Sequence, residues 1–376
     1  MRFYFSIQCR RHTLKKESDF QNSPVGSRGA PKSDEGRGSM KLDETSHALG
    51  RPGEEFFARP RVTLPPDVLR RLSTLSPTRA TLSFVTDWAT VAACVAAMTL
   101  LKNPIVWIAG IFAIAAAQHG LAILAHQAAH YRMYRSRRLN DLVGVICATP
   151  LGVSMHTYRI IHRIHHNHLY EPTDPDLALM AGYPRGRWYL IKKFAKDLCG
   201  VTSIKNYLYF FGKPLQRSAP RAESKPKDDT SEELRRLARI DRRATLAFHA
   251  VMIGASVAFG FWREYFLCWL LPLVTALQFL LRLRALCEHG AVTDTSTPLR
   301  AARTNLAPAV LRWFVFPHQM HYHIEHHLYP AVPHYRLAEC HHELKARNML
   351  TDAEISSSFR ETFAKFFAPP LTADRR

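Results

Sequence analysis

The chain has 376 residues, 47% of them hydrophobic, and a formal charge of +20. That charge suits nucleic acid, an anionic membrane surface or the cytoplasmic loops of a membrane protein; no RRM, zinc-finger or KH signature supports the first, so no nucleic-acid partner is expected. Seven scattered cysteines with no C-x-x-C pair argue against a thiolate zinc site, an iron–sulfur cluster and a disulfide framework.

Residues 1–60 are polar, rich in Arg, Lys, Ser, Gly and Glu, and lack both a sustained apolar period and the apolar core of a secretory signal. They read as a disordered tail, with Met40 as an alternative start. Pro65-Pro-Asp-Val-Leu-Arg-Arg-Leu72 reads as a short amphipathic helix opening the structured region. Four apolar blocks then approach membrane-spanning length, at about 82–101, 105–124, 244–262 and 265–281. Asp87 and His249 interrupt them without abolishing them. Asp87, near the cytoplasmic end of its block, is either a functional intramembrane carboxylate or a side chain that snorkels to water. A fifth block, 142–155, holds Pro150 and Gly152 and is too short to span, so it is expected at the interface or re-entering partway. The stretch 213–229, rich in Pro, Lys and Asp, reads as an exposed loop.

The blocks pair into two hairpins through joints of little charge, at 102–104 and 263–264. Arg132, Arg135, Arg137 and Arg138 follow the second block, and Arg235, Arg236, Arg239, Arg242 and Arg243 precede the third. Arg282 and Arg284 follow the fourth. The positive-inside rule then puts both termini and the middle segment in the cytoplasm. A soluble helical bundle would leave this asymmetry unexplained.

Twenty histidines are an unusual number, and most are clustered. His126 and His130 form H-x-x-x-H; His162, His165 and His166 form H-x-x-H-H, as do His323, His326 and His327. Residues three and four apart share a helix face, with Cβ atoms ~5–6 Å apart, so a pair can bind one metal and a trio can serve a dinuclear centre. Neutral imidazole is a good iron ligand. A single pair is weak evidence and is more simply a polar interfacial face. Two trios are harder to reach by chance, and all three clusters fall just beyond the spans on one side, as converging clusters would.

The three boxes, their order and the two hairpins resemble the membrane fatty acid desaturase family. Matching stretches include Leu139-Asn-Asp-Leu-Val-Gly144, Asp174-Pro-Asp176, Arg303-Thr-Asn305 and Leu328-Tyr-Pro-Ala-Val-Pro-His-Tyr335. The similarity runs over about 75–345, which sets the domains as a tail at 1–60, a membrane domain at 61–345 and a C-terminal tail at 346–376. The resemblance implies an all-α integral-membrane fold of four transmembrane helices in two hairpins, with a helical cytoplasmic cap holding a di-iron site. In that family nine histidines bind two irons. Carried over, eight are His126, His130, His162, His165, His166, His323, His326 and His327; the ninth, by position after the fourth span, is His289. The acyl-CoA branch has Asn four residues before that ninth histidine, where this chain has Ala285; this points away from that branch or toward another partner such as Glu288. His168, His318 and His321 read as interfacial or outer groups. Asp141, Asp174, Asp176, Glu288 and Glu325 are placed either to receive N–H from ligating histidines or to pair with nearby arginines.

Side chains alone do not remove hydrogen from an unactivated methylene; iron with dioxygen does. Reduction of dioxygen to water takes four electrons, and desaturation supplies two. No flavin or nicotinamide glycine fingerprint and no fused cytochrome b5 motif is present, so a separate ferredoxin or cytochrome b5-like donor is implied. The expected activity is O2-dependent desaturation of a fatty acyl chain or lipid. Hydroxylation or ketolation of a lipid or carotenoid on the same core is the alternative, and a histidine-rich metal transporter a distant one, since a transporter places its ligands near the membrane midplane. Zinc proteolysis lacks its H-E-x-x-H.

Overall fold

The computed structural model describes residues 63–101, 103–211, 230–292 and 294–370. The expected tail at 1–60, the alternative start at Met40 and the loop at 213–229 lie outside them. The described chain is mostly helical. Helix α1, Pro66–Leu72, starts with proline at its first position, where no N–H is needed. Helices α2, Pro77–Leu101, and α3, Pro104–Ala129, form a hairpin. Asn103 caps α3 by accepting from Ile105 N at 2.8 Å. Small residues let the two helices approach: a Cβ on Gly120 would come within 2.5 Å of the Asp87 carboxylate, and one on Gly110 within 2.5 Å of Met98 Sδ.

The two helices face different surroundings. The apolar stretch of α2 is only 17% buried, whereas that of α3 is 67% buried. Leu82, Val85, Leu100 and Leu101 accordingly stand exposed on α2, as lipid-facing residues do, while α3 is apolar almost all round and runs through the core. At its end the chain reverses. Ser136 caps α4, Arg137–Ala148; a short 3-10 turn and Gly152 at φ 71° follow; and Ser154 caps α5, Met155–Asn167. The short block at 142–155 is thus the end of α4, this turn and the entry to α5.

Helices α6 (Leu177–Met180), α7 (Arg187–Leu198) and α8 (Ser203–Phe210) lead to the undescribed loop. Helix α9, Glu232–Ala258, is capped by Ser231 and carries Glu232 and Glu233 in its first turn, complementing the helix dipole. Then α10 (Trp262–Tyr265), a π-helical turn (Phe266–Leu270), α11 (Leu271–Val274) and α12 (Ala276–His289) follow one another as a continuous segment. Pro272 cannot donate to the preceding turn, and the irregularity sits there, with Thr275 out of helical geometry.

Three segments are long and apolar enough to cross a membrane: α2, α3 and Trp262–His289. The expected blocks 82–101 and 105–124 lie inside the first two. In α9 the apolar part after Arg243 ends at Ala258, because Gly260 at φ 76° closes the helix, so the block expected at 244–262 is shorter than drawn. The last block continues eight residues beyond 281, through Arg282 and Arg284. Their charges are matched inside the fold: Arg282 pairs with Asp197 and Arg284 with Glu288.

The remaining elements fold over the end of α12. They are α13 (Pro298–Ala301), β1 (Thr304–Asn305), α14 (Ala309–Val315), α15 (His323–Leu328), α16 (Leu337–Ala346), β2 (Ile355–Ser356) and α17 (Phe359–Phe367). Strands β1 and β2 pair in parallel. Beyond 346 the described residues, to 370, pack onto this region: Thr362 Oγ1 donates to Asn305 Oδ1 at 2.8 Å, and Phe366 is fully buried.

Candidate metal centre

Each histidine cluster rides on its own helix end. His126 and His130 lie at the end of α3, His162, His165 and His166 on the last turns of α5, His289 on the last residue of α12, and His323, His326 and His327 on α15. The clusters meet. The ligand atoms of His126, His130, His162 and His326 lie within 4.8 Å of one another, and so do those of His165, His289 and His327. His166 Nε2 joins the first group at 3.0 Å from His162 Nε2 and 3.1 Å from His326 Nε2. His323 Nε2 joins the second at 2.8 Å from His289 Nε2 and 3.1 Å from His327 Nε2. The stacked rings of His166 and His327, centroids 4.4 Å apart, connect the two groups.

The outer nitrogens show why the inner ones face inward. His289 Nδ1 donates to the carbonyl oxygen of Ala301 at 2.9 Å, and His165 Nδ1 donates to Asp174 Oδ1 at 3.0 Å. These partners only accept, so both rings carry hydrogen on Nδ1 and, when neutral, a lone pair on Nε2. Around these two fixed rings the inward Nε2 atoms of the others crowd together, at 2.9 Å between His126 and His326 and between His130 and His162, and a neutral ring protonated at Nδ1 has only a lone pair to offer there. A cation at each group accepts every inward lone pair at once. The residues fit metal.

Electrostatics favours neutral ligands. Burial, followed by the neighbouring imidazoles, holds His162, His166, His323, His326 and His327 well below the ordinary histidine range. Burial, then Arg132 and Arg159, brings His130 down to about 3. His165 differs: burial opposes its charge, but Asp174 and Asp176 outweigh burial and push it up to about 9. A metal held there would displace a proton, and the carboxylate would make the ring a better donor. Asp174 is itself held by N–H of Tyr170 and of Asp176, each at 2.9 Å. The exchange Asp174→Asn is expected to weaken metal affinity about 10- to 100-fold, read by chelator competition on the purified protein.

The other candidate carboxylates divide. Glu288 takes Arg284 Nε at 2.7 Å and lies 3.4 Å from His323 Nδ1. Asp141 pairs with Arg159 at 2.7 Å. Asp176 accepts from the Tyr209 hydroxyl and stands 3.7 Å from His165 Nδ1. Glu325, inside the third box, turns away and receives His341 Nδ1 and Thr304 Oγ1, both at 2.6 Å. His168 bonds Glu171 at 2.7 Å and His318 bonds Asp87 at 2.8 Å, while His321 packs between Tyr322 and Phe316.

Sequence reasoning did not single out Tyr158, whose hydroxyl hydrogen-bonds His126 Nδ1 at 3.1 Å. Its signal was present, one turn before His162 on the same face. Two of the matching stretches prove to be scaffolding. Asn140 accepts from Met133 N and Tyr134 N and donates to the carbonyls of Tyr134 and Ser136, shaping the turn after His130. Arg303, fully buried, donates to the carbonyls of Cys287, Gly290 and Ala291, around His289.

Beside the centre lies a cavity of about 150 Å³, lined by Ala122, Ala125, Leu151, Leu277 and Leu281 and bordered by His126, His162, His165, His289 and His323. Nine imidazoles, six buried and three partly so, thus gather from the end of the long apolar α3, the ends of α12 and α5 and the short α15, with a largely apolar chamber at their side.

The profile of the fatty acid desaturase family matches residues 102–356, and the chain belongs to that family. It is accordingly an oxidoreductase; the family is membrane-bound, typically uses iron and acts on lipid or acyl substrates. Among similar proteins, the dihydrorhizobitoxine desaturase of Bradyrhizobium elkanii is 27% identical over 281 residues, covering 71% of this chain and 76% of that one. The chloroplastic omega-3 fatty acid desaturase of Glycine max is 26% identical, covering 70% and 59%. The sn-1 oleoyl-lipid 12-desaturase of Synechocystis sp. is 27% identical, covering 60% and 64%. The match thus spans less than two thirds of the last two proteins. Their names give them different substrates, so the family does not by itself choose one for this chain.

Proposed function

We propose that this chain is a membrane non-haem di-iron oxygenase that desaturates an acyl chain or lipid with O2, drawing two electrons from a separate donor, ferredoxin or cytochrome b5-like. The observation that carries this reading is the inward convergence of nine imidazoles, with the outer nitrogens of His165 and His289 held by acceptors. His126, His130, His162, His166 and His326 would hold one iron, and His165, His289, His323 and His327 the other. Bound iron, with dioxygen, supplies the oxidising power to take hydrogen from an unactivated methylene.

The chain's own residues orient and exclude. Asp174 and the Ala301 carbonyl fix which nitrogen of His165 and His289 faces inward. The apolar wall made by Ala122, Ala125, Leu151, Leu277 and Leu281 shields the reacting carbon from water. The third-in-order span is the apolar half of α9, giving four spans in two hairpins. The arginines after α3 and at the start of α9 favour a cytoplasmic side for both termini and the metal centre.

The test is product analysis of cells expressing the full chain with and without oxygen. An O2-dependent product two hydrogens lighter than its precursor is the expected result. An O2-dependent hydroxylated product instead would move the reaction to hydroxylation on the same centre. No O2-dependent product from cells that supply a working electron donor would overturn the reading.

A further inference from the structure

One stripe of α12 faces the cavity beside the nine histidines: Leu277, Gln278, Leu281, Arg284, Ala285 and Glu288, recurring with the helical period. A chamber for a plain methylene chain needs only apolar walls. Here Arg284 lines it, with its side chain 13% exposed. Its Nε donates to Glu288 Oε1 at 2.7 Å, and its two Nη groups meet no protein acceptor among the described residues. A largely buried guanidinium with most of its donors unused by the protein is stabilised by whatever polar group enters beside it, and an aliphatic chain offers none. The Nη pair forms the planar fork that matches a carboxylate with two parallel hydrogen bonds.

Position and size narrow the ligand. Two contacts, of 2.7 Å to Glu288 and 3.4 Å from Glu288 to His323 Nδ1, separate the guanidinium from a ring of the histidine nest. The cavity, at about 150 Å³, is below the roughly 300–1,000 Å³ of pockets that enclose drug-sized ligands. Ala285, one residue along the same stripe, leaves the space beside Arg284 open.

We infer that the substrate is a compact carboxylic acid, anchored through its carboxylate by Arg284, with the reacting carbon only a few carbons from that group. This rests on reading the nine histidines as the oxidising centre, and it makes Arg284 the residue that selects the substrate.

Calorimetric titration of the full-length, iron-loaded protein in detergent tests it, with hexanoate and its neutral counterpart methyl hexanoate as probes. Both are short enough to leave the comparison free of strong partition into micelles. Wild type is expected to bind hexanoate at least about tenfold more tightly than the ester. Arg284→Met is expected to weaken hexanoate about 10- to 100-fold, as loss of hydrogen bonds to a charged group does, and to leave the ester unchanged. Arg284→Lys keeps the charge without the fork and is expected to fall between them. It also stands in should the methionine variant fail to fold, as reported by its iron content. Equal binding of acid and ester by wild type would overturn the inference. So would no saturable hexanoate binding, or an Arg284→Lys protein that binds hexanoate as wild type does. Two irons per chain, with O2-dependent desaturation of long acyl lipids undiminished in Arg284→Met, would remove this inference and leave the proposed function standing.

Discussion

His326→Ala is expected to lose most of its bound iron and to drop turnover at least ~100-fold, beyond what loss of an outer partner causes. His326 is fully buried, and its Nε2 lies 2.9 Å from His126 Nε2 and 3.1 Å from His166 Nε2. Alanine there removes one inward lone pair and leaves a gap where α3, α5 and α15 converge. Glu325 on the same helix is not placed to refill it, being committed to His341 and Thr304. His168→Ala is the matched control. That ring bonds Glu171 and is half-buried, so iron content and turnover should stay near wild type. Metal analysis and turnover on the two purified variants check the contrast, and an iron-replete, fully active His326→Ala protein would contradict it.

Arg303→Met is expected to be the most damaging change outside the histidines. Arg303 is fully buried between Glu354 and three carbonyls at the end of α12. Removing one partner of a buried ion pair typically costs about 3–5 kcal/mol, because the other charge stays behind without it. Lys365, 2.6 Å from Glu354, softens the loss for that carboxylate but does nothing for the carbonyls. Those carbonyls flank His289, so loosening them also loosens its hold on the second group. Thermal unfolding in detergent should show a clearly lower midpoint than wild type. A midpoint equal to wild type would show that the network carries no such weight.

These two sites were unequally visible in the sequence. Eight of the histidines announced themselves because ligand spacing on a helix is local: i, i+3 and i+4 positions share a face whatever the rest of the chain does; His289 stands alone on its helix and was reached only through the family resemblance. Arg303 appeared only as part of a matching stretch, since its partners at 287, 290, 291 and 354 are joined to it by tertiary folding. The same limit explains the extent of α12. Arg282 and Arg284 read as charges marking the end of an apolar block, yet Asp197, 85 residues away from Arg282, and Glu288 pair them inside the fold. Glu325 shows the converse, since its place in a box suggested service to the box histidines and its side chain instead serves His341. For α9, apolar composition marked the block, but where its helix stops was decided by Gly260, two residues short of the drawn end. The pairing of Thr304 with Ile355 was beyond local reading, because neither two-residue strand carries a period.

The most direct test of the central claim is the iron content of the detergent-purified full chain, measured by mass spectrometry after reconstitution with ferrous iron. About two irons per chain, lost on replacing His326 and retained on replacing His168, is the result this account predicts. A chain that takes up no iron under those conditions, while remaining folded, would contradict it.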